Sequence, residues 1–450
     1  METAVMWFRR DLRLRDNPAL RAALSTGQAV PLFVLDPALW GPSGAPRRAW
    51  LARSLAALDR SLDGRLVVRH GDPAAVVPQV AREAAATAVH IAADAGVYGR
   101  RRDEAVERAL GDGGVRLVRT GSPYAVPPGT LLTGGRTPFR VFTPFSRAWS
   151  REGWPPPVHA PRAPRWVGLP GDGLPPEPDL GVMRLPEAGE EAALTRWRRF
   201  RDGALAGYAD TRNRPDLDGT SSLSAHLKYG EVHPRTLLAD LATRSGESVE
   251  RYRTELAWRD FYADVLWHSP RTAREPLNAQ VGRIRYDAGP EADAAFAAWA
   301  EGRTGYPVVD AGMRQLRAVG WVHNRVRMIV ASFLVKDLHV DWLRGARHFM
   351  HWLRDGDLAS NNGGWQWVAG TGTDAAPYFR VFNPVTQGKS FDPDGQYVRM
   401  YVPELRDVAG AAAHEPWLLP GGLPEGYPER IVDHAEARAE ALRRYEEVRG

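Results

Sequence analysis

The strongest constraint on this chain is the alternation written into its first 125 residues. Short apolar runs at Ala4–Phe8, Val30–Leu35, Leu66–Val68, Val89–Ala93 and Val115–Val118 are separated by amphipathic stretches such as Arg47–Leu62 and Asp72–Ala86. An apolar run without polar alternation describes a strand covered on both faces, and strand–helix–strand succession gives a parallel sheet. Asp72-Pro73 supplies a helix start, with the carboxylate as cap and the fixed φ of proline in the first turn. The expected fold class is therefore α/β, with a doubly wound parallel sheet near the N-terminus. No Gly-x-Gly-x-x-Gly follows the first run; Phe8-Arg9-Arg10-Asp11-Leu12-Arg13 stands there instead. An ordinary dinucleotide site is not expected at that turn.

Beyond the sheet the pattern changes twice. Ten prolines fall between Trp154 and Glu187, which reads as a long extended linker laid over the surface. From about Glu190 the periodicity turns helical, at Leu194–Phe200, Pro234–Arg244, Val249–His268, Ala292–Ala300, Pro307–Val319, Asn324–His339 and Trp342–Leu353. The expected organisation is an α/β domain over 1–130, a linker over 131–195 and an all-helical domain over 196–450, with no internal repeat.

Composition narrows the function. A chain of 450 residues has room for two or three domains and an ample core. No apolar run approaches a membrane span, and the start Met-Glu-Thr-Ala-Val-Met-Trp-Phe lacks the basic-then-apolar order of a secretory signal. A cytoplasmic protein without a membrane partner is the expectation. The chain has no cysteine, which excludes disulfides, thiolate nucleophiles and Cys-ligated metal sites. A net charge of +5 suits either a solubilising arginine surface or a polyanionic partner, of which nucleic acid is the commonest. Sixteen tryptophans add indoles that can build a core, stack on bases or pass electrons.

The segment Asp355-Gly-Asp-Leu-Ala-Ser-Asn-Asn-Gly-Gly-Trp-Gln-Trp367 concentrates chemistry. Buried carboxylates and amides need partners, so this mixture is not ordinary core. Trp365 and Trp367, at i and i+2, cannot share one helix face and must point at different things. Elsewhere, Glu255 and Trp258 share a face at i, i+3, and Asn324 and Met328 at i, i+4. Together they describe a cavity for a flat, neutral, hydrogen-bonding ligand. Taken singly, Glu255 also suits a solvated ion pair, and Trp258 and Met328 also suit the core. Gly219-Thr-Ser-Ser-Leu-Ser224 reads either as a phosphate cradle or as a plain helix cap.

These stretches, in this order, resemble the photolyase/cryptochrome family, and most closely its class I cyclobutane pyrimidine dimer photolyases. The matching motifs are Trp7 to Asn17, Gly219 to Ser224, Glu255-Leu-Ala-Trp-Arg-Asp-Phe-Tyr262, Thr304-Gly-Tyr-Pro-Val-Val-Asp-Ala-Gly-Met-Arg314, Gly320-Trp-Val-His-Asn-Arg-Val-Arg-Met328, the Asp355–Trp367 segment and Gly370 to Pro384. The resemblance implies FAD in the helical domain. Tyr208, Thr220, Ser221, Ser222, Leu223 and Ser224 would contact its phosphates and ribityl chain. Asp355, Gly356 and Asp357 would lie at polar edges of the flavin side, with Arg327 pairing near Asp355, and Asn361 at flavin N5. It further implies light-driven electron transfer to a dimer flipped out of UV-damaged DNA. Glu255 would hydrogen-bond the 5′ thymine, Trp258 and Trp367 would wall the pocket, and Asn324 and Met328 would line it. Related (6-4) enzymes place two histidines at these last two positions. Arg212, Arg259, Arg325, Arg380 and Gln387 would contact DNA.

Trp365 and Trp342 match the first two members of the family's photoreduction chain, and Tyr286 stands where its third, usually Trp, is expected. An antenna chromophore is implied for the N-terminal domain. Gly99-Arg100 and Ala273-Arg274 replace the Asn-Glu and Cys-Lys pairs of the folate-binding type, which favours 8-hydroxy-5-deazaflavin over methenyltetrahydrofolate. The alternative reading is a cryptochrome, a blue-light signalling flavoprotein of the same fold; single-strand-specific repair of the DASH type is disfavoured by the pocket pattern. A monomer is the default.

Overall fold

The computed structural model describes residues 2–25, 27–373 and 379–449. The chain forms two compact units. The first comprises Met1–Leu180, Pro186–Ala206 and Ser221–Pro270; the second comprises Gly181–Leu185, Gly207–Thr220 and Arg271–Gly450.

The first unit is built on five parallel strands, β1 (Glu2–Phe8), β2 (Gly27–Leu35), β3 (Val67–His70), β4 (Ala88–Ile91) and β5 (Arg116–Arg119), in the order β3-β2-β1-β4-β5. The chain winds outward from β1 through β2 to β3, then returns to the other side of β1, so the sheet is doubly wound. The apolar run of β1 divides its side chains by parity. Ala4, Met6 and Phe8 join one buried cluster with Phe33, Leu35, Trp50 and Leu55. Val5 and Trp7 join another with Leu32, Val34, Val67 and Ile91. Burial on both faces is why the run has no polar alternation. Asn17 caps the Pro18–Leu24 helix and Asp72 caps the Pro73–Glu83 helix, each through its side-chain oxygen.

The proline-rich stretch is extended and pinned to the sheet. Trp166 bridges Ala29 in parallel, and the Asp172 carboxylate accepts from His70 N at 2.7 Å. The Phe142–Glu152, Glu190–Asp202, Pro234–Ala242 and Glu247–His268 helices also belong to this unit.

The second unit is helical around a core that includes Trp299, Tyr306, Phe333, Phe349, Trp365 and Tyr397. The Pro307–Val319 and Asn324–Ser332 helices cross closely because position 312 is glycine. A Cβ there would lie 2.5 Å from Val326 Cγ1 and 2.8 Å from Val330 Cγ1. Asn324–His339 was expected as one helix. It is α-helical to Ser332 and then widens into a π-helical turn, Phe333–Asp337. Among the described residues, no helix is long and apolar enough to cross a membrane, and no cluster of His, Asp and Glu could hold a metal ion.

Candidate active site

The Asp355–Trp367 segment turns through Gly356, whose N–H donates to Leu353 O, into the Leu358–Ala369 helix. Asp357 caps that helix, its Oδ1 accepting from Ser360 N at 3.2 Å. Asp355 is buried and pairs through Oδ2 with Arg327 Nη2 at 2.8 Å; Arg327 Nε also donates to Val322 O at 2.8 Å. The second oxygen of Asp355 is buried and has no partner among the described residues. Burying half a carboxylate without a donor is costly, so this oxygen marks a place where a ligand N–H or O–H belongs.

One turn on, Asn361 donates its Nδ2 to Ala346 O at 3.1 Å and to Asn362 Oδ1 at 3.0 Å. Both donor hydrogens are thereby engaged, which fixes the amide plane, and its oxygen accepts no bond among the described residues. Asn362 in turn donates to Ala273 O at 2.7 Å. Gln366 donates to Thr272 O at 2.9 Å and Glu275 O at 3.1 Å while accepting from Leu277 N at 2.8 Å. Sequence reasoning did not single out Asn362 or Gln366. The signal was present, since buried amides in a helix must find partners.

The two indoles part company, as helical geometry requires. Trp365 is buried, 6.1 Å from the Trp299 ring and 5.1 Å from Phe349, both edge-on. Trp367 is half-buried, with the Arg380 guanidinium 5.7 Å over its ring. Trp342 is buried at the start of the Trp342–Trp352 helix. Tyr286 packs against the same core, and burial raises its phenol above the ordinary range; its hydroxyl has no partner among the described residues.

Asn324 and Met328 lie on one face of their helix, the Asn324 amide 3.9 Å from Met328 Sδ. Neither can move a proton at neutral pH. The buried His323 caps this helix, its Nδ1 accepting from Arg325 N at 3.1 Å. Burial, aided by Arg325 and Arg327, pushes its pKa down to about 4, so the imidazole is neutral. Arg325 donates to Asn213 Oδ1 at 3.0 Å and lies over Phe391. Arg212 lies over the buried Tyr208 ring at 5.7 Å. Gln387 presents a buried Oε1 without a partner among the described residues. Part of the last matching motif, Asp374 to Tyr378, lies outside the described residues.

In the first unit, Glu255 and Trp258 are half-buried on the Glu247–His268 helix. Trp258 stacks on Phe142, with ring centres 3.7 Å apart and planes 5° apart. This stack on Phe142 was not foreseen; nothing local in sequence pairs residues so distant. Arg259 is held inside the unit, donating to Pro123 O at 2.9 Å and Leu227 O at 3.1 Å. The Ser221–Ser224 run carries a basic neighbour that sequence did not reveal. Arg196 donates to Ser221 O at 2.9 Å and Ser222 Oγ at 3.3 Å. Tyr252 donates its hydroxyl to Ser221 Oγ at 3.0 Å. Leu223 is buried, and Ser222 adopts a positive φ of 51°. Hydroxyls beside a guanidinium suit a phosphate group.

Each unit by itself offers groups that FAD could use: in the first, hydroxyls and a guanidinium suited to phosphates; in the second, a partnerless carboxylate oxygen suited to a polar edge and a fixed amide oxygen suited to a protonated ring nitrogen. They define a protein that combines a doubly wound sheet with residues suited to a nucleotide cofactor.

Residues 4–164 match the DNA photolyase family and residues 252–447 match the FAD binding domain of DNA photolyase. A deoxyribodipyrimidine photo-lyase of Streptomyces griseus is 45% identical, with 100% of each chain covered. Another, from Escherichia coli, is 41% identical, covering 100% of this chain and 99% of that one. The crystal structure of a bacterial class III photolyase from Agrobacterium tumefaciens matches with a TM-score of 0.92 at 37% identity, covering 100% of this chain and 98% of that one. The chain belongs to the DNA photolyase family, and its helical region carries that family's FAD-binding domain.

Proposed function

We propose that this protein is a deoxyribodipyrimidine photo-lyase, an enzyme that splits cyclobutane pyrimidine dimers in UV-damaged DNA under blue light. FAD, bound and fully reduced, supplies a photoexcited electron that is lent to the dimer and recovered, so no net oxidation or reduction occurs. The chain's own residues bind, orient and exclude water. Asp355 accepts from a polar edge of the cofactor through its partnerless oxygen, and Arg327 holds that carboxylate in place. Asn361 accepts from a protonated ring nitrogen, which favours the reduced form. Arg196 and the Ser221–Ser224 hydroxyls take phosphate, with Tyr208 and Thr220 contributing. Glu255 hydrogen-bonds the 5′ thymine, while Trp258, braced by Phe142, and Trp367 supply apolar walls. Flipping a base costs a few kcal/mol, least at a damaged step, which favours lesions. Arg212, Arg325, Arg380 and Gln387 contact the DNA backbone, making affinity salt-dependent. Trp365, Trp342 and Tyr286 would be the donors that supply an electron to the cofactor in its oxidised form.

For the antenna we propose 8-hydroxy-5-deazaflavin. Gly99 and Arg100 stand where the folate type carries Asn-Glu. The C-terminal ends of β1 and β4, where a doubly wound sheet binds ligands, carry Arg9 and Asp94, with Arg102 and Asp103 in ion pairs to them. Those charges suit an ionisable ring system.

The observation that supports this choice of lesion is the Asn324–Met328 pair: the two side chains lie together on one helix face and offer neither an acid nor a base. Flavin-loaded protein should therefore restore thymines from a cyclobutane dimer under blue light and leave a (6-4) photoproduct unchanged. Repair of the (6-4) photoproduct, or of neither, contradicts the assignment.

A further inference from the structure

Asn324, Met328, Ser332 and Lys336 fall at intervals of four residues along one helix and its π-helical extension. On a regular α-helix such a row drifts sideways; the wider turn at Phe333–Asp337 counters that drift at Lys336. The first two residues line the lesion pocket in the function proposed above. The last two hold a different segment. Ser332 Oγ accepts from Phe382 N at 3.3 Å, and Lys336 Nζ donates to Arg380 O. The Lys336 ammonium also sits 4.1 Å over the Phe379 ring, which stacks on Tyr445 at 4.4 Å. Both anchors are buried, Ser332 at 1% and Lys336 at 3% exposure. The segment they hold carries Arg380, which lies over Trp367. A cavity of about 110 Å³ lined by Ser332, Lys336, Trp367, Arg380 and Phe382 adjoins this segment, so the two hydrogen bonds supplement incomplete packing there.

Lys336 is one of only three lysines, with Lys228 and Lys389, among 59 basic residues. In a chain that otherwise uses arginine, a buried lysine marks a place that takes a compact three-donor ammonium and not a planar fork.

We propose that Lys336 and Ser332 are positioning residues for lesion recognition. Neither touches DNA. They act through Arg380 and Trp367 by clamping the Phe379–Phe382 segment onto the helix that carries Asn324 and Met328. The inference rests on the assignment of Arg380 and Trp367 to damaged DNA.

The test uses flavin-loaded Lys336→Met, Ser332→Ala, Arg380→Ala and the Lys336→Met/Arg380→Ala double variant. Dark binding to a duplex with one thymine dimer, and repair per absorbed photon at saturating DNA, are measured for each. Losing a charge-assisted bond predicts a Kd about tenfold higher for Lys336→Met, and losing a neutral one about threefold for Ser332→Ala. Flavin absorption and saturated repair stay at wild-type values. The double variant binds no more weakly than Arg380→Ala alone, because Lys336 works through that residue. Kd values within error of wild type, or additive losses in the double variant, overturn the proposal. Should Lys336→Met not fold, an unchanged Kd for Ser332→Ala overturns it alone. A wild-type protein that binds damaged and undamaged duplexes alike overturns the underlying functional reading instead.

Discussion

Replacing Arg327 by methionine removes the partner of the buried Asp355 while keeping most of the side-chain bulk. In the native structure the pair is 2.8 Å apart, with side-chain exposures of 25% for Arg327 and 2% for Asp355. Breaking a buried pair from one side costs about 3–5 kcal/mol, because an uncompensated charge stays behind. Water reaches the arginine end here, which places the loss near the lower figure, about 3 kcal/mol. The other Asp355 oxygen already lacks a partner among the described residues, so the variant leaves the carboxylate with neither. The carbonyl of Val322 also loses its bond from Arg327 Nε. Flavin-free Arg327→Met should therefore unfold in denaturant about 3 kcal/mol more easily than wild type. Its FAD affinity, followed by flavin fluorescence in the dark, should fall as the pocket loses its shape. Adding Asp355→Asn removes the stranded charge and should recover most of the stability but not the FAD affinity. A single variant as stable as wild type, or a double variant no better than the single one, refutes the reasoning.

Three further outcomes follow from particular contacts. Gly345→Ala places a Cβ 2.2 Å from Trp365 Cη2 and 2.6 Å from Leu334 Cδ2; overpacking of about 1–3 kcal/mol outweighs the roughly 1 kcal/mol helix gain, so calorimetry should show a lower Tm and photoreduction should slow. His323 has a folded pKa of about 4, depressed by burial first and then by Arg325 and Arg327. Its contribution to stability is thus present above the ordinary imidazole value near 6.5 and lost as pH falls towards 4; denaturant unfolding of His323→Asn, which keeps a cap oxygen, should show a flatter acid limb across that window. Tyr286→Phe should lower the yield of long-lived radical in flash photolysis while leaving dimer repair by pre-reduced protein unchanged; an unchanged yield assigns the terminal donor elsewhere.

Much of the fold was legible because burial writes itself into composition. The run Ala4–Phe8 lies inside β1 (Glu2–Phe8), and Val30–Leu35 lies inside β2 (Gly27–Leu35), since strands covered on both faces admit few polar residues. Pro307–Val319 is helical over the expected span because proline opens it and Gly320, at φ 63°, closes it. The π-helical turn after Ser332 was not legible. Apolar periodicity tolerates one widened turn without breaking, so nothing in the pattern marks it. The divergence of Trp365 and Trp367 could be read from their spacing alone. The stack of Phe142 on Trp258, the reach of Arg196 to Ser221, and the clamp of Lys336 on Arg380 could not, because each joins segments far apart in the chain. Side chains proposed for cofactor and lesion stood out in the sequence as unusual residue types in short stretches. Those that brace them looked like ordinary surface or core.

The most direct measurement holds one sample of flavin-loaded protein with dimer-containing duplex, first in darkness and then under blue light, with the flavin redox state recorded before and after. Unlit, the protein should bind the duplex and leave every dimer intact. Lit, it should restore thymines over many turnovers while the flavin ends fully reduced, as it began. Dimers that disappear in the dark, or a flavin oxidised in step with each repair, contradict a borrowed and returned electron.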